Sequence, residues 1–78
     1  MDETLDLRGL KCPLPALLAK KALTRLAPGS ALTVIADDPM SVVDIPHMCH
    51  GEGHAVESVT SCDGTTEFRL AVRSAREA

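Results

Sequence analysis

The chain has no Trp and no Tyr, and Phe68 is its single aromatic residue. That scarcity excludes the stacking platforms on which single-stranded nucleic acids rest. It lacks a basic excess as well: eight Lys and Arg stand against eleven Asp and Glu, a net charge of −3. Direct nucleic-acid binding, which needs a basic footprint, is disfavoured. No apolar run approaches the ~20 residues of a membrane span. Met1-Asp2-Glu3 opens acidic and polar, so no secretory leader is expected. The three cysteines show no C-x-x-C spacing. Free thiols in a cytoplasmic protein are the expectation, not a disulfide framework. At 78 residues there is room for one domain with a thin aliphatic core, and little for a ligand cavity of ~300 Å³ or more. Function should sit on the surface, at one reactive group or one docking face.

What is present is well patterned. Thr4 to Arg8 alternates apolar and polar residues, as a half-buried strand does. Gly9-Leu10-Lys11 turns the chain. From Pro13 to Ala27 the spacing is helical, with Pro15, Leu18, Ala19, Ala22, Leu23 and Leu26 on one stripe. Pro28-Gly29 stops that helix. Ala31 to Ala36 is a near-continuous apolar run and reads as a central strand. Asp37-Asp38-Pro39 is a helix-start signature: an acidic cap, then Pro at the first helical position. The second helix runs from Met40 to about His50 and should bury Val42, Val43, Ile45 and Cys49. Pro46 either kinks it or marks a fresh start at Asp44. Val56 to Cys62 is a third strand, Asp63-Gly64 a two-residue hairpin turn, and Phe68, Leu70 and Val72 the inward side of a fourth strand. The order βαβαββ predicts an α+β fold: a two-layer sandwich with both helices on one face of a four-stranded mixed sheet. One domain fills residues 1–78, with a core over 4–73 and a flexible charged tail over 74–78.

Chemistry concentrates at Cys12, between the first strand and the first helix. The pattern Cys12-Pro13-Leu14-Pro15 puts Cys12 at the N-cap and Pro13 at the first helical position. Helix N-termini and neighbouring cations lower a thiol pKa, and Arg8 and Lys11 are the cations at hand. Both prolines stiffen the site. Cys is a poor cap for stability alone, so a reactive, anionic sulfur is the preferred reading over an inert cap. A thioredoxin-like pair is absent, because no second Cys follows three residues on. Opposite the core stripe, Leu14, Leu17, Lys21 and Arg25, with Lys20 at the edge, form a leucine-centred face with a basic rim. It reads as a docking patch for an acidic protein surface.

The segment Gly9-Leu10-Lys11-Cys12-Pro13-Leu14-Pro15 resembles the Cys-Pro-x-Pro signature of the TusA/SirA-like sulfur carrier family. Ala36-Asp37-Asp38-Pro39, Asp44-Ile45-Pro46, Cys49 and Gly53-His54 follow as in that family, and the likeness runs from Leu5 to Val72. It implies a sulfurtransferase in the sense of a persulfide relay. Cys12 would take sulfur from a cysteine desulfurase or rhodanese-like protein and pass it to an acceptor protein, with no cofactor beyond the covalent persulfide. The routes so served are tRNA 2-thiouridine synthesis, molybdenum-cofactor supply and sulfur oxidation. The rival reading is a regulatory interaction module that uses the same face without moving sulfur.

The remaining polar residues receive quieter readings. Asp37, Asp38 and Asp44 suit capping and turns; with Pro39, Pro46 and Cys49 they are expected to be structural. His47, His50 and His54 recur near Cys49 but match no fixed zinc spacing, so no metal is expected. Cys49 as a resolving thiol is disfavoured against burial, and Cys62 matches no family position. A monomer without membrane or direct nucleic-acid contact is expected.

Overall fold

Parallel pairing of the first two strands sets the architecture. In a computed structural model that describes residues 2–73, the chain order is β1 (Asp2–Asp6), α1 (Leu14–Thr24), β2 (Ala31–Ala36), α2 (Ser41–Glu52), β3 (Ala55–Cys62) and β4 (Thr65–Ala71). The sheet order is β1-β2-β4-β3. β1 lies parallel to β2, and β4 is antiparallel to both β2 and β3. The first three strands therefore share one direction, and β4 fills the gap that the second crossover leaves. This is the expected α+β sandwich of βαβαββ order. The charged tail expected over 74–78 lies outside the described residues.

The core forms where inward residues of the sheet meet the helices. Leu32, Val34 and Ala36 of β2 sit opposite Leu70, Phe68 and Thr66 of β4. Leu7, Ala19, Ala22, Leu23, Ile45 and Cys49 close the cluster from the β1 end and the two helices. Phe68 is fully buried at its centre. Such a side chain contributes about 1.5–3 kcal/mol by its burial. The outer sheet face is polar, and there Arg69 reaches Glu57 at 3.2 Å and Asp2 at 3.7 Å.

Turn chemistry behaves as written. Asp63 and Gly64 both take positive φ, 52° and 81°, the type I′ geometry that suits a two-residue hairpin. Gly53 ends α2 with φ 84°. Its N–H donates to the His50 carbonyl, and the His54 N–H donates to that of Cys49. This pair of bonds is a Schellman motif, whose left-handed position favours Gly.

Several expected boundaries and burials shift. β1 begins and ends two residues early, because its register pairs Asp2 with Ala31 and Asp6 with Ile35. α1 starts at Leu14 with Pro13 as its cap, so Cys12 precedes the cap and Pro13 is not the first helical residue. Leu18, assigned to the core stripe, is 38% exposed. The buried face of α1 is narrower, made of Pro15, Ala19, Ala22 and Leu23. Val42 and Val43 are exposed as well. α2 begins at Ser41, after Pro39, and runs through Pro46 without a restart. Its inward stripe is Ser41, Ile45 and Cys49, so the two valines fall on the outward side. Among the described residues, no helix is long and apolar enough to cross a membrane.

Candidate functional site

Because β1 and β2 are parallel neighbours, the loops that follow them emerge at the same end of the sheet. The loop from β1 carries Arg8, Gly9, Lys11 and Cys12; the turn from β2 carries Asp37, Asp38 and Pro39. Carboxylates of the second bind backbone of the first. Asp37 accepts the Gly9 N–H on both oxygens, at 3.0 and 3.2 Å. Asp38 accepts the Cys12 N–H on Oδ2 and the Met40 N–H on Oδ1 at 3.4 Å. Asp38 is buried. A carboxylate in such a place is stabilised only by bonds of this kind. α2 has no side-chain cap, so of the expected capping and turn roles only the turn is made, by Asp38 on the Met40 N–H. The two aspartates shape a turn and clamp the Cys12 loop.

The sulfur itself meets a third carboxylate. Cys12 is exposed, and its Sγ donates to Asp44 Oδ2 at 2.9 Å. The Cys12–Pro13 peptide is cis. Asp44 sits in the first turn of α2, a few residues beyond the Asp38 clamp. Of the three acidic residues singled out, Asp44 touches the Cys12 sulfur, Asp38 holds the Cys12 N–H, and Asp37 holds Gly9 of the same loop.

This environment reverses the expected electrostatics. The Asp44 carboxylate accepts the thiol's hydrogen bond and so pushes the Cys12 pKa up; partial desolvation and the negative charges of Asp44 and Asp38 act the same way. Arg8 does not serve the sulfur. Its guanidinium is bound to Asp6 by Nε–Oδ1 at 2.9 Å and Nη2–Oδ2 at 2.7 Å, a pairing that holds the Asp6 carboxyl down at about 2. The helix start supplies few donors. Pro13 and Pro15 have no N–H, the Cys12 N–H is held by Asp38, and the Leu14 N–H donates to the Lys11 carbonyl at 2.8 Å. The dipole argument needs the amides that the two prolines leave, and those of Cys12 and Leu14 are engaged away from the sulfur.

The expected docking residues are outside. Leu14 and Leu17 are about half exposed, and Lys20, Lys21 and Arg25 lie on the surface. Lys20 is tied to Glu52 of α2 at 3.3 Å. Sequence reasoning missed the rest of this apolar rim: Leu18 on α1, and Met40, Val42 and Val43 at the start of α2, are also exposed. Since both helices start beside Cys12, the rim flanks the sulfur from two sides. A stripe drawn through Ser41, Ile45, Met48 and Cys49 would have put the valines outside. Arg8 is the counterpart at the other extreme, a cation chosen by nearness in sequence and engaged elsewhere.

The other candidates separate from the site. Cys49 is fully buried, and burial pushes its thiol up to about 11. Cys62, the last residue of β3, is exposed, and all three cysteines are free. His54 accepts the Arg73 N–H on Nδ1 at 3.1 Å. Among the described residues, no three His, Cys, Asp or Glu side chains gather as a metal-holding group.

Comparison with known proteins converges on one chemistry. The family model described as sulfurtransferase TusA matches residues 3–73. Two proteins of Neisseria meningitidis, from serogroups A and B, are each 45% identical over 71 residues, covering 91% of this chain and 93% of theirs. Both bear the description "putative sulfur carrier protein". The crystal structure of a SirA-like protein from Desulfitobacterium hafniense superposes with a TM-score of 0.80 at 32% identity, covering 92% of this chain and 99% of that one.

Proposed function

The chain belongs to the TusA/SirA-like sulfur carrier family, and from that premise we propose that Cys12 is the sulfur-bearing atom of a cytoplasmic persulfide relay. A protein donor, a cysteine desulfurase or rhodanese-like enzyme, offers a persulfide, and Cys12 takes its outer sulfur. An acceptor protein later removes it. One observation carries the assignment: the only cysteine in the Cys-Pro-x-Pro segment is exposed, anchored at its backbone, and flanked by apolar side chains that a partner would cover. Pro13 and Pro15 shape the loop, and Leu14, Leu17, Lys21 and Arg25 supply the docking face with Lys20 at its edge. Lys11 is adjacent to the sulfur in sequence. The three free cysteines suit a reducing compartment. The outlet is one of the sulfur-consuming routes of the family: tRNA thiolation, molybdenum-cofactor supply or sulfur oxidation. As a relay, the protein is a transferase that works stoichiometrically between larger enzymes.

Mass measurement tests the assignment. Incubated with a cysteine desulfurase and cysteine, the chain should gain the mass of one sulfur atom. The gain should vanish with a reductant and be absent in Cys12→Ser. A wild-type chain that gains nothing from any donor, while Cys12→Ser still binds a partner, would instead describe an interaction module.

A further inference from the structure

We propose that Asp44 is the proton partner of Cys12: it holds the empty carrier's thiol as a hydrogen-bonded S–H and receives that proton when the sulfur attacks the donor. The inference rests on the persulfide-relay reading for its second half alone. Its first half, the bond between a thiol and a carboxylate, belongs to the resting molecule.

The geometry is specific. Sγ and Asp44 Oδ2 are 2.9 Å apart, and the two residues are 32 positions apart in sequence. Their meeting depends on the fold. The Asp38 clamp on the Cys12 N–H brings the two loops together, and Asp44 stands on the first turn of the helix that follows. The other charged groups near this corner are Asp37 and Asp38 from the β2–α2 turn, Arg8 and Lys11 from the β1–α1 loop, and His47 on α2. Arg8 is engaged by Asp6, Asp37 by the Gly9 N–H, and Asp38 by backbone. Asp44 is the carboxylate with an oxygen on the sulfur.

A weakly acidic thiol is a poor nucleophile, since the thiolate reacts. A carboxylate in hydrogen-bond reach answers that difficulty in the way general bases do. In the step, Sγ attacks the outer sulfur of a donor R–S–SH. A new S–S bond forms at Sγ, the donor's S–S bond breaks, and its inner sulfur leaves with the electron pair. The Sγ proton passes to Asp44 Oδ2 and then to the leaving thiolate. The products are Cys12–S–SH and R–SH, with no net oxidation.

The experiment follows two rates on the full chain, with Asp44→Asn and Asp44→Glu as variants. One is alkylation of Cys12 by iodoacetamide against pH, read by mass spectrometry of its peptide so that Cys62 does not interfere. The other is sulfur uptake from a desulfurase at pH 7. In the native wild type, the alkylation midpoint should lie above that of the same residue in the urea-unfolded chain. Asp44→Asn should lower the midpoint, since the carboxylate that favours the thiol is gone, and alkylation at pH 7 should rise about tenfold. Uptake should not share that gain, so the ratio of uptake to alkylation falls about tenfold. Asp44→Glu should restore much of that ratio. A native midpoint equal to the unfolded one overturns the proposal without recourse to any variant. So does a ratio that Asp44→Asn leaves unchanged. If the wild type takes up no sulfur, the relay reading fails while the thiol–carboxylate bond is still decided by alkylation.

Discussion

Replacing Asp38 by Ala should unfold the Cys12 loop's anchor at a cost far above that of its neighbour Asp37. Asp38 is only 9% exposed and serves two backbone donors, the Cys12 and Met40 N–H groups. A hydrogen bond to a charged group contributes about 1.5–3 kcal/mol, and an amide left unpaired in a part-buried place costs about 1–3 kcal/mol. The Met40 bond is long, so the Cys12 bond dominates, and the loss for Asp38→Ala should be about 2–3 kcal/mol. Against a total stability of about 4–12 kcal/mol for a chain of this size, that is a large share. The melting temperature should fall by about 10–20 °C. Asp37 is exposed, and both its oxygens serve one N–H, that of Gly9; Asp37→Ala should cost about 0.5–1 kcal/mol. Asp38→Asn should fall between the two, because its amide keeps one acceptor and turns a donor toward a donor. Urea unfolding of the three variants measures these differences, with an unchanged slope as the sign that only stability moved. Asp38→Ala within about 0.5 kcal/mol of wild type, the range of ordinary surface changes, would refute the clamp. Equal costs at Asp37 and Asp38 would refute the burial argument that ranks them.

Two further outcomes follow from residues outside the clamp. Leu17→Glu, on the exposed face of α1, should leave stability within about 0.5 kcal/mol and cut the rate of sulfur uptake from a desulfurase about tenfold, an interface loss of about 1.4 kcal/mol; unchanged uptake would remove that leucine from the docking face. Burial pushes the Cys49 thiol up to about 11, against an ordinary thiol value of 9.0. A raised pKa gives stability that is fully present below the unfolded value and is lost as pH rises through the folded one. The urea midpoint should therefore fall between about pH 9 and 11, and the fall should be shallower in Cys49→Ala.

Patterns that depend on neighbours in sequence were readable, and those that depend on neighbours in space were not. The βαβαββ order, the Asp63-Gly64 turn and the alternation through Phe68 and Leu70 are local, and the structure carries all three. Burial of α2 was misjudged because Val42 and Val43 are apolar and Ser41 is not. Yet the side that faces the core is set by the crossover, and it selected Ser41, Ile45 and Cys49. The Ser41 hydroxyl is buried there with no partner among the described residues, so polarity alone misleads at that position. The charge reading at Cys12 failed for the same reason. Arg8 and Lys11 are near in sequence, whereas Asp38 and Asp44 arrive from 26 and 32 residues away. The aspartates were visible in the sequence as part of a recognisable pattern; their aim at one sulfur was not.

That aim bears on how a carrier tells its empty state from its loaded one. In the empty state Sγ carries the hydrogen that Asp44 accepts. In the proposed relay, loading makes Sγ the inner sulfur of a persulfide, with no hydrogen to give. Any proton or charge moves to the outer sulfur, about 2 Å farther along the new S–S bond. The bond between Cys12 and Asp44 in its present form therefore belongs to the empty carrier alone. An ionised outer sulfur is repelled by Asp44 and Asp38, because both carry the same sign. A donor meets a thiol whose proton is already committed to a base. An acceptor meets a sulfur that the surrounding carboxylates do not retain. A site lined by cations would do the reverse, holding the sulfur anion once it had formed. In the proposed relay, the acidic corner around Cys12 thus favours passage of the sulfur over its storage.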